Sequence, residues 1–214
     1  MKTTSKLFLF SLFISGLTVV TGCYPGGPEY IEDYDLVLTN YSKEYDFGAQ
    51  GTYSIPDSIV KITGDDIDNP GDVKYVSASI ADPILNRIRK NMEDRGYQYT
   101  DKNTADVVLL VSAWEVTNVS VWYDWGYWGW YYPGYSPGWG WGYPYYPTYP
   151  VTTSYKTGSV MIQWTDPQNI EDVVNVEWLT IFNGLAEGGA SSIIARSTKA
   201  VDQAFTQSPY IKSN

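Results

Sequence analysis

Asp82-Pro83-Ile84-Leu85-Asn86-Arg87-Ile88-Arg89-Lys90-Asn91-Met92-Glu93-Asp94-Arg95-Gly96, followed after a short polar loop by Ala105-Asp106-Val107-Val108-Leu109-Leu110-Val111, is the stretch on which the fold turns. A carboxylate stands before a proline, and the proline is expected at the first helical position, where its missing N–H costs nothing. Glycine after Arg95 marks the stop. Between these signals Ile84, Leu85, Ile88 and Met92 share one helical face, while Arg87, Lys90, Glu93 and Asp94 fall largely elsewhere. A surface helix with one buried stripe is therefore expected. The run Val107 to Val111 has no polar break and suits a central strand, within a longer segment, Ala105 to Val121, that then alternates outward.

Working outward, Asp35 to Thr39 and Thr52 to Ile62 read as strands, the second kinked or at an edge because of Pro56. Ser159 to Trp164 and Val174 to Phe182 read as a hairpin with its turn around Asp166-Pro167. Ser191 or Ser192 is expected to cap a last helix, with Ile194, Val201, Ala204 and Phe205 on one side and Pro209 as its stop. The order β-β-α-β-β-β-α predicts an α+β fold, a two-layer sandwich. A mixed β-sheet carries two helices on one face, and a long insert projects between central strands.

Residues 122–150 form that insert, built from Trp, Tyr, Gly and Pro except for Asp124, Ser136 and Thr148. Trp122, Trp125, Trp128, Trp130, Tyr131, Trp139, Trp141 and Tyr143 are its candidate binding residues. Indole and phenol rings settle where one side is dry and the other wet, which suits a lipid headgroup zone, a sugar polymer or a protein partner. The plain alternative is a hairpin extension or loop whose rings pack on one another or on the sheet. A base-stacking platform would need cations to follow the phosphates, and the insert has neither Lys nor Arg.

The helix ending Met92 to Tyr97, the run Ala105 to Val111, the aromatic insert, Gly158-Ser159-Val160-Met161-Ile162, Trp178 and the closing helix together resemble the DUF4136 family of bacterial lipoproteins. The resemblance spans roughly residues 35–210 and implies the fold above, while the family's biochemical role is unassigned. The strand before the first helix and the acidic loop Gly64 to Asp72 are longer here than in the family pattern.

The start of the chain reads as an address. Lys2 and Lys6 precede an apolar stretch from Leu7 to Val20, too short for a spanning helix, which needs about 17 to 25 apolar residues. Val20-Thr21-Gly22-Cys23 resembles a lipobox, in which the cysteine sulfur is acylated before cleavage. Cys23 is the only cysteine, so it is the expected lipid attachment site, and no thiol remains for disulfides or thiolate metal sites. The alternative is an ordinary signal with a chance cysteine. Residues 1–22 are thus expected as a signal peptide and 23–34 as a lipidated linker rich in Pro, Gly and acids. A single domain over 35–210 follows. Three acyl chains would hold such a protein to a membrane effectively permanently. The expected location is the cell envelope, most naturally the outer membrane of a Gram-negative bacterium.

Removing the two lysines of residues 1–22 takes the formal charge from −10 to −12, a balance unsuited to nucleic acid. Histidine is absent, which removes the commonest general base and imidazole metal sites. No catalytic residue, metal site or cofactor is expected. Carboxylate-dependent glycoside hydrolysis is the distant alternative, with Glu115, Asp124, Glu171, Asp172 and Glu177 as the acids to inspect. The loop holding Asp65, Asp66, Asp68 and Asp72 fails the EF-hand spacing at Pro70. Gly188-Gly189 before the last helix lacks the lysine of a phosphate loop. The expected function is a non-enzymatic interaction module tethered by lipid. It would reach an envelope protein through residues 122–150, with a glycan or cell-wall binder as the alternative.

Overall fold

The computed structural model describes residues 35–63, 73–115, 145–147, 158–170, 174–183 and 188–214. Strand β6 (Val107–Trp114) is the axis of a mixed sheet. On one side it pairs antiparallel with β8 (Ser159–Ile170), β8 with β9 (Val174–Asn183), and β9 with β1 (Leu36–Tyr41). Its other edge is shared by two short parallel strands, β2 (Thr52–Ser54) and β3 (Val60–Ile62). The sheet is completed by β4 (Lys74–Tyr75) beside β3 and β5 (Gln98–Tyr99) beside β2. Val107 to Val111 are all buried, as the unbroken apolar run predicts.

The kink expected at Pro56 is a full interruption. Ser54 pairs with Val108 and Val60 with Ser112, so six steps along one strand face four along the other, and Pro56 sits in the surplus. A residue without an N–H is tolerated there because the ladder is already broken. The expected turn at Asp166-Pro167 is corrected for the same reason. Strand β8 runs on to Ile170, with register shifts between Trp164 and Thr165 and between Thr165 and Ile170 that absorb the proline as a bulge.

Helices α1 (Ala78–Glu93) and α2 (Ala190–Gln207) pack against the sheet on the face that carries Val107, Leu109, Val111, Val160, Ile162, Trp164, Trp178 and Phe182. From the helices come Ile84, Leu85, Ile88 and Met92, and Val201, Ala204 and Phe205, as predicted from their spacing. Ile194 is only half-buried. Both helix starts differ from expectation. Helix α1 begins after Ser77, so Pro83 lies inside it rather than at its first position. Proline there deprives only the Ser79 carbonyl of its partner, and Ser79 is exposed to water, so the helix continues through it. Helix α2 is capped by Gly189, not by Ser191 or Ser192, and makes no side-chain cap bond. At the other end of α1 the glycine stop holds: Gly96 has φ +91°, and the Tyr97 N–H returns to the Met92 carbonyl at 3.1 Å.

The registers also bring several chain crossings to one end of the sheet. Ile62 pairs with Trp114, Trp114 with Ser159, Val160 with Phe182 and Asn183 with Leu36. Strands β3, β6 and β9 therefore finish, and β8 and β1 begin, at what we term the Trp114 end. The segment 116–157 leaves and returns there, closed at its root by the Gly158 N–H on the Trp114 carbonyl at 2.8 Å. Within it Tyr145–Pro147 form β7, parallel to β9 at Val174 to Val176, on the length of edge that β1 does not reach. An edge with free backbone groups is a ready template for such a strand.

Candidate functional site

An apolar cavity of about 320 Å³ opens at the Trp114 end, between the sheet and the first turns of both helices. Ile59, just before β3, and Lys61 of β3 line it with Tyr75 and Val76, and α1 adds Ile80 and Ile84. Ala113, Trp114 and Glu115 come from the end of β6, and Gly158 to Val160 from the start of β8. From α2 come Ile193 and Ser197. The walls are fixed by backbone bonds, Glu115 N–H to the Ile62 carbonyl and Val76 N–H to the Ile59 carbonyl, each at 2.9 Å.

Its polar groups are few. Lys61 Nζ meets Glu115 Oε1 at 2.9 Å, a partly exposed pair that balances its own charge. Ser159 donates through Oγ to Asn183 Oδ1, and Trp114 through Nε1 to Ser112 Oγ, both at 2.8 Å. Ser197 is fully buried, and its Oγ has no hydrogen-bond partner. The neighbouring Thr198 instead returns its hydroxyl to the Ile194 carbonyl at 2.8 Å. A buried hydroxyl without a partner costs about 1–3 kcal/mol, and that of Ser197 exposes no surface to the cavity.

Cys23 lies outside the described residues, as do Trp122, Trp125, Trp128, Trp130, Tyr131, Trp139, Trp141 and Tyr143. So do the acidic loop Asp65, Asp66, Asp68 and Asp72, and the acids Asp124, Glu171 and Asp172. Two of the acids are placed. Glu115 follows β6 at the Trp114 end, whereas Glu177 is buried in β9, opposite the stretch of β8 near Trp164. At least six steps along β8 separate them, about 20 Å at the usual rise, well beyond the roughly 5–10 Å of a hydrolytic carboxylate pair. Among the described residues no group of three or more His, Cys, Asp and Glu side chains is arranged to hold a metal ion.

Elsewhere the ionisable groups serve the fold. Burial alone would raise the Asp106 pKa, but bonds from Thr52 Oγ1 and the Gly51 and Thr52 amides hold the carboxyl below its ordinary value. Burial pushes the Tyr45 and Tyr97 phenols far up, and Tyr97 donates to the Phe47 carbonyl at 2.9 Å.

Sequence reading missed the cavity, although one signal was there. Ser197 interrupts the apolar stripe of α2, four residues after Ile193 and four before Val201.

A family profile described as "Domain of unknown function (DUF4136)" matches residues 37–210. The chain belongs to the DUF4136 family. A solved DUF4136 family protein from Bacteroides thetaiotaomicron VPI-5482 is 33% identical, with a TM-score of 0.66 over 84% of this chain and 98% of that one. The PelC dodecamer from Paraburkholderia phytofirmans gives a TM-score of 0.39 at 9% identity, over 84% of this chain and 99% of that one. Protein XCC0632 from Xanthomonas campestris, of the DUF330 family, gives 0.31 at 10% identity, over 80% and 88%. Both likenesses are too slight to bear on this DUF4136 protein. No curated protein matches it.

Proposed function

We propose that this DUF4136 protein is a membrane-anchored lipoprotein of the cell envelope. It acts there as a non-enzymatic interaction module that engages an envelope partner through the Trp114 end and the aromatic segment rooted in it. The observation that carries the reading is the convergence of chain crossings. The residue that starts β1, the root of segment 116–157 and the cavity mouth share one end of the sheet. From Cys23 to Asp35 is twelve residues, a reach of at most about 40 Å, so a lipid at Cys23 keeps that end close to a bilayer. Among the described residues no helix is long and apolar enough to cross a membrane.

The test has two arms. Mass spectrometry of the mature protein should find Cys23 as an acylated first residue. A photo-crosslinking residue in place of Trp130 should capture an envelope protein in intact cells. Retention on purified peptidoglycan, lost when Trp128, Trp130, Trp139 and Trp141 become Ala, would move the assignment to the glycan binder. A free thiol at position 23, or a mature form released into solution, would reject the anchored module.

A further inference from the structure

We infer that the helix-free face of the sheet is a docking surface for this chain's own aromatic segment, so that residues 116–157 lie across it as a third layer. The inference goes beyond the interaction reading, which concerns what the segment meets outside the protein.

Register defines the face. Ser112 pairs with Val60 on one side and Met161 on the other, Met161 pairs with Ile181, and Leu110 pairs with Gln163, which pairs in turn with Leu179. With Val108, two steps from Leu110, these side chains share the face opposite Leu109, Val111 and Ile162. Val60, Val108, Leu110, Met161, Leu179 and Ile181 are each at most 2% exposed, yet none belongs to the cluster that α1 and α2 complete. A sheet face turned to water carries polar side chains, whereas an apolar and buried one has a layer on it.

The path of the chain selects that layer. Segment 116–157 starts and ends at the Trp114 end, but its strand β7 lies beside Val174 to Val176, and Val176 pairs with Thr165, six steps along β8 from Ser159. The segment therefore runs the length of the sheet, about 20 Å, in both directions. Strand β7 is parallel to β9 and heads back towards the Trp114 end, where β1 closes its lane: Tyr41 pairs with Trp178, and the Ser42 N–H meets the Glu177 carbonyl at 2.8 Å. To reach Gly158 the chain must also move sideways past β9, two strand spacings or about 10 Å. Ten residues, 148–157, reach at most about 36 Å, enough for that diagonal. A detour over the helices is too long, because α2 packs on β1 and β9, and climbing over a helix about 10 Å thick and down again adds about 20 Å. The helix-free face is the route that fits, over Leu179, Ile181 and Met161. Composition suits the role, since Trp and Tyr each cover roughly 150–250 Å² and keep a polar edge for water.

The chain carries its own probes. Met161 lies on the helix-free face and Met92 under α1, and photo-methionine can replace both in the full-length product with little change of shape. Irradiation should link position 161 to peptides within residues 116–157 of the same chain, and position 92 to the helix-face cluster. Mixing heavy- and light-isotope chains shows whose segment is captured. Adducts from position 161 to another part of the chain, to a second copy or to a different molecule, or its quenching by water, would overturn the proposal. In a second measurement, Tyr149→Ser with Val151→Ser and Tyr155→Ser should speed peroxide oxidation of Met161 at least about tenfold, with Met92 unchanged as the sign of an intact helix layer. A Met161 rate that stays level with that of Met92 would count equally against the layer. Neither readout depends on acylation of Cys23 or on capture of a partner, so failure here leaves the interaction reading standing.

Discussion

Arg196, buried on α2, donates through Nε to Asp35 Oδ2 at 2.7 Å and so fixes the residue at which the chain begins its first strand. The second guanidinium arm meets Asp35 Oδ1, making the pair bidentate. With side chains 4% and 18% exposed, it is a buried ion pair, and removing one partner of such a pair typically costs about 3–5 kcal/mol. Asp35→Ala should lower unfolding stability by that order in urea titrations. Replacing both residues with apolar ones, Asp35→Leu with Arg196→Met, should cost clearly less than the single change. A single variant losing under about 1 kcal/mol would show that the pair is not holding the strand.

Acid should unfold the protein through two carboxylates held below their ordinary pKa. For Asp106, burial works against the shift and bonds from Thr52 and Gly51 outweigh it; for Asp202, burial is outweighed by Arg87 and Asn91. A depressed folded pKa stabilises above the unfolded value, about 3.9, and the gain disappears as pH falls through the folded pKa. Stability should therefore drop on acidification below about pH 4, and Asp106→Asn should flatten part of that limb while costing about 1–3 kcal/mol at neutral pH. Denaturation midpoints across pH 2–7 check both statements.

At the alkaline end the sign reverses in favour of the protonated form. Burial pushes the Tyr53 and Tyr210 phenols up to about 12. Unfolded phenols ionise near pH 10, so the stability these groups supply is complete below about pH 10 and lost as pH rises through the folded values near 12. Tyrosinate absorbance should rise together with loss of structure over that window. Ionisation of all the phenols near pH 10, with the fold intact, would contradict the burial.

Gly96 is a fourth test. Its φ of +91° lies where side chains are strained, and a Cβ there would meet Ser213 Cβ at 3.4 Å. Gly96→Ala should cost about 1–2 kcal/mol, measured by thermal or urea unfolding. The loss should be larger than for Ala substitution at exposed Gly189, where a Cβ meets nothing within 4 Å.

Much of this fold is written in local pattern. The stripe Ile84, Leu85, Ile88, Met92 and the run Val107 to Val111 become core because their periods match a helix face and a buried strand. Element ends were harder to read. Pro83 looks like a helix start, but only the exposed Ser79 carbonyl loses a partner when the helix runs through it; Asp166-Pro167 looks like a turn, but a bulge accommodates it. The short strands β4, β5 and β7 owe their existence to edges offered by other strands, which periodicity cannot show. Of the site, the serine in the α2 stripe was visible as a break in pattern. Its meaning required the neighbours that the fold brings to it.

The most direct test compares two exposed tyrosines at opposite ends of the sheet, Tyr75 at the Trp114 end and Tyr99 beside β2 at the Val107 end, 47% and 52% exposed. A photo-crosslinking residue placed at each in turn, in intact cells, should capture lipid or an envelope protein from position 75 and leave position 99 largely unreacted. Equal capture from both, or capture from position 99 alone, would contradict the account of a tethered protein that works through one end.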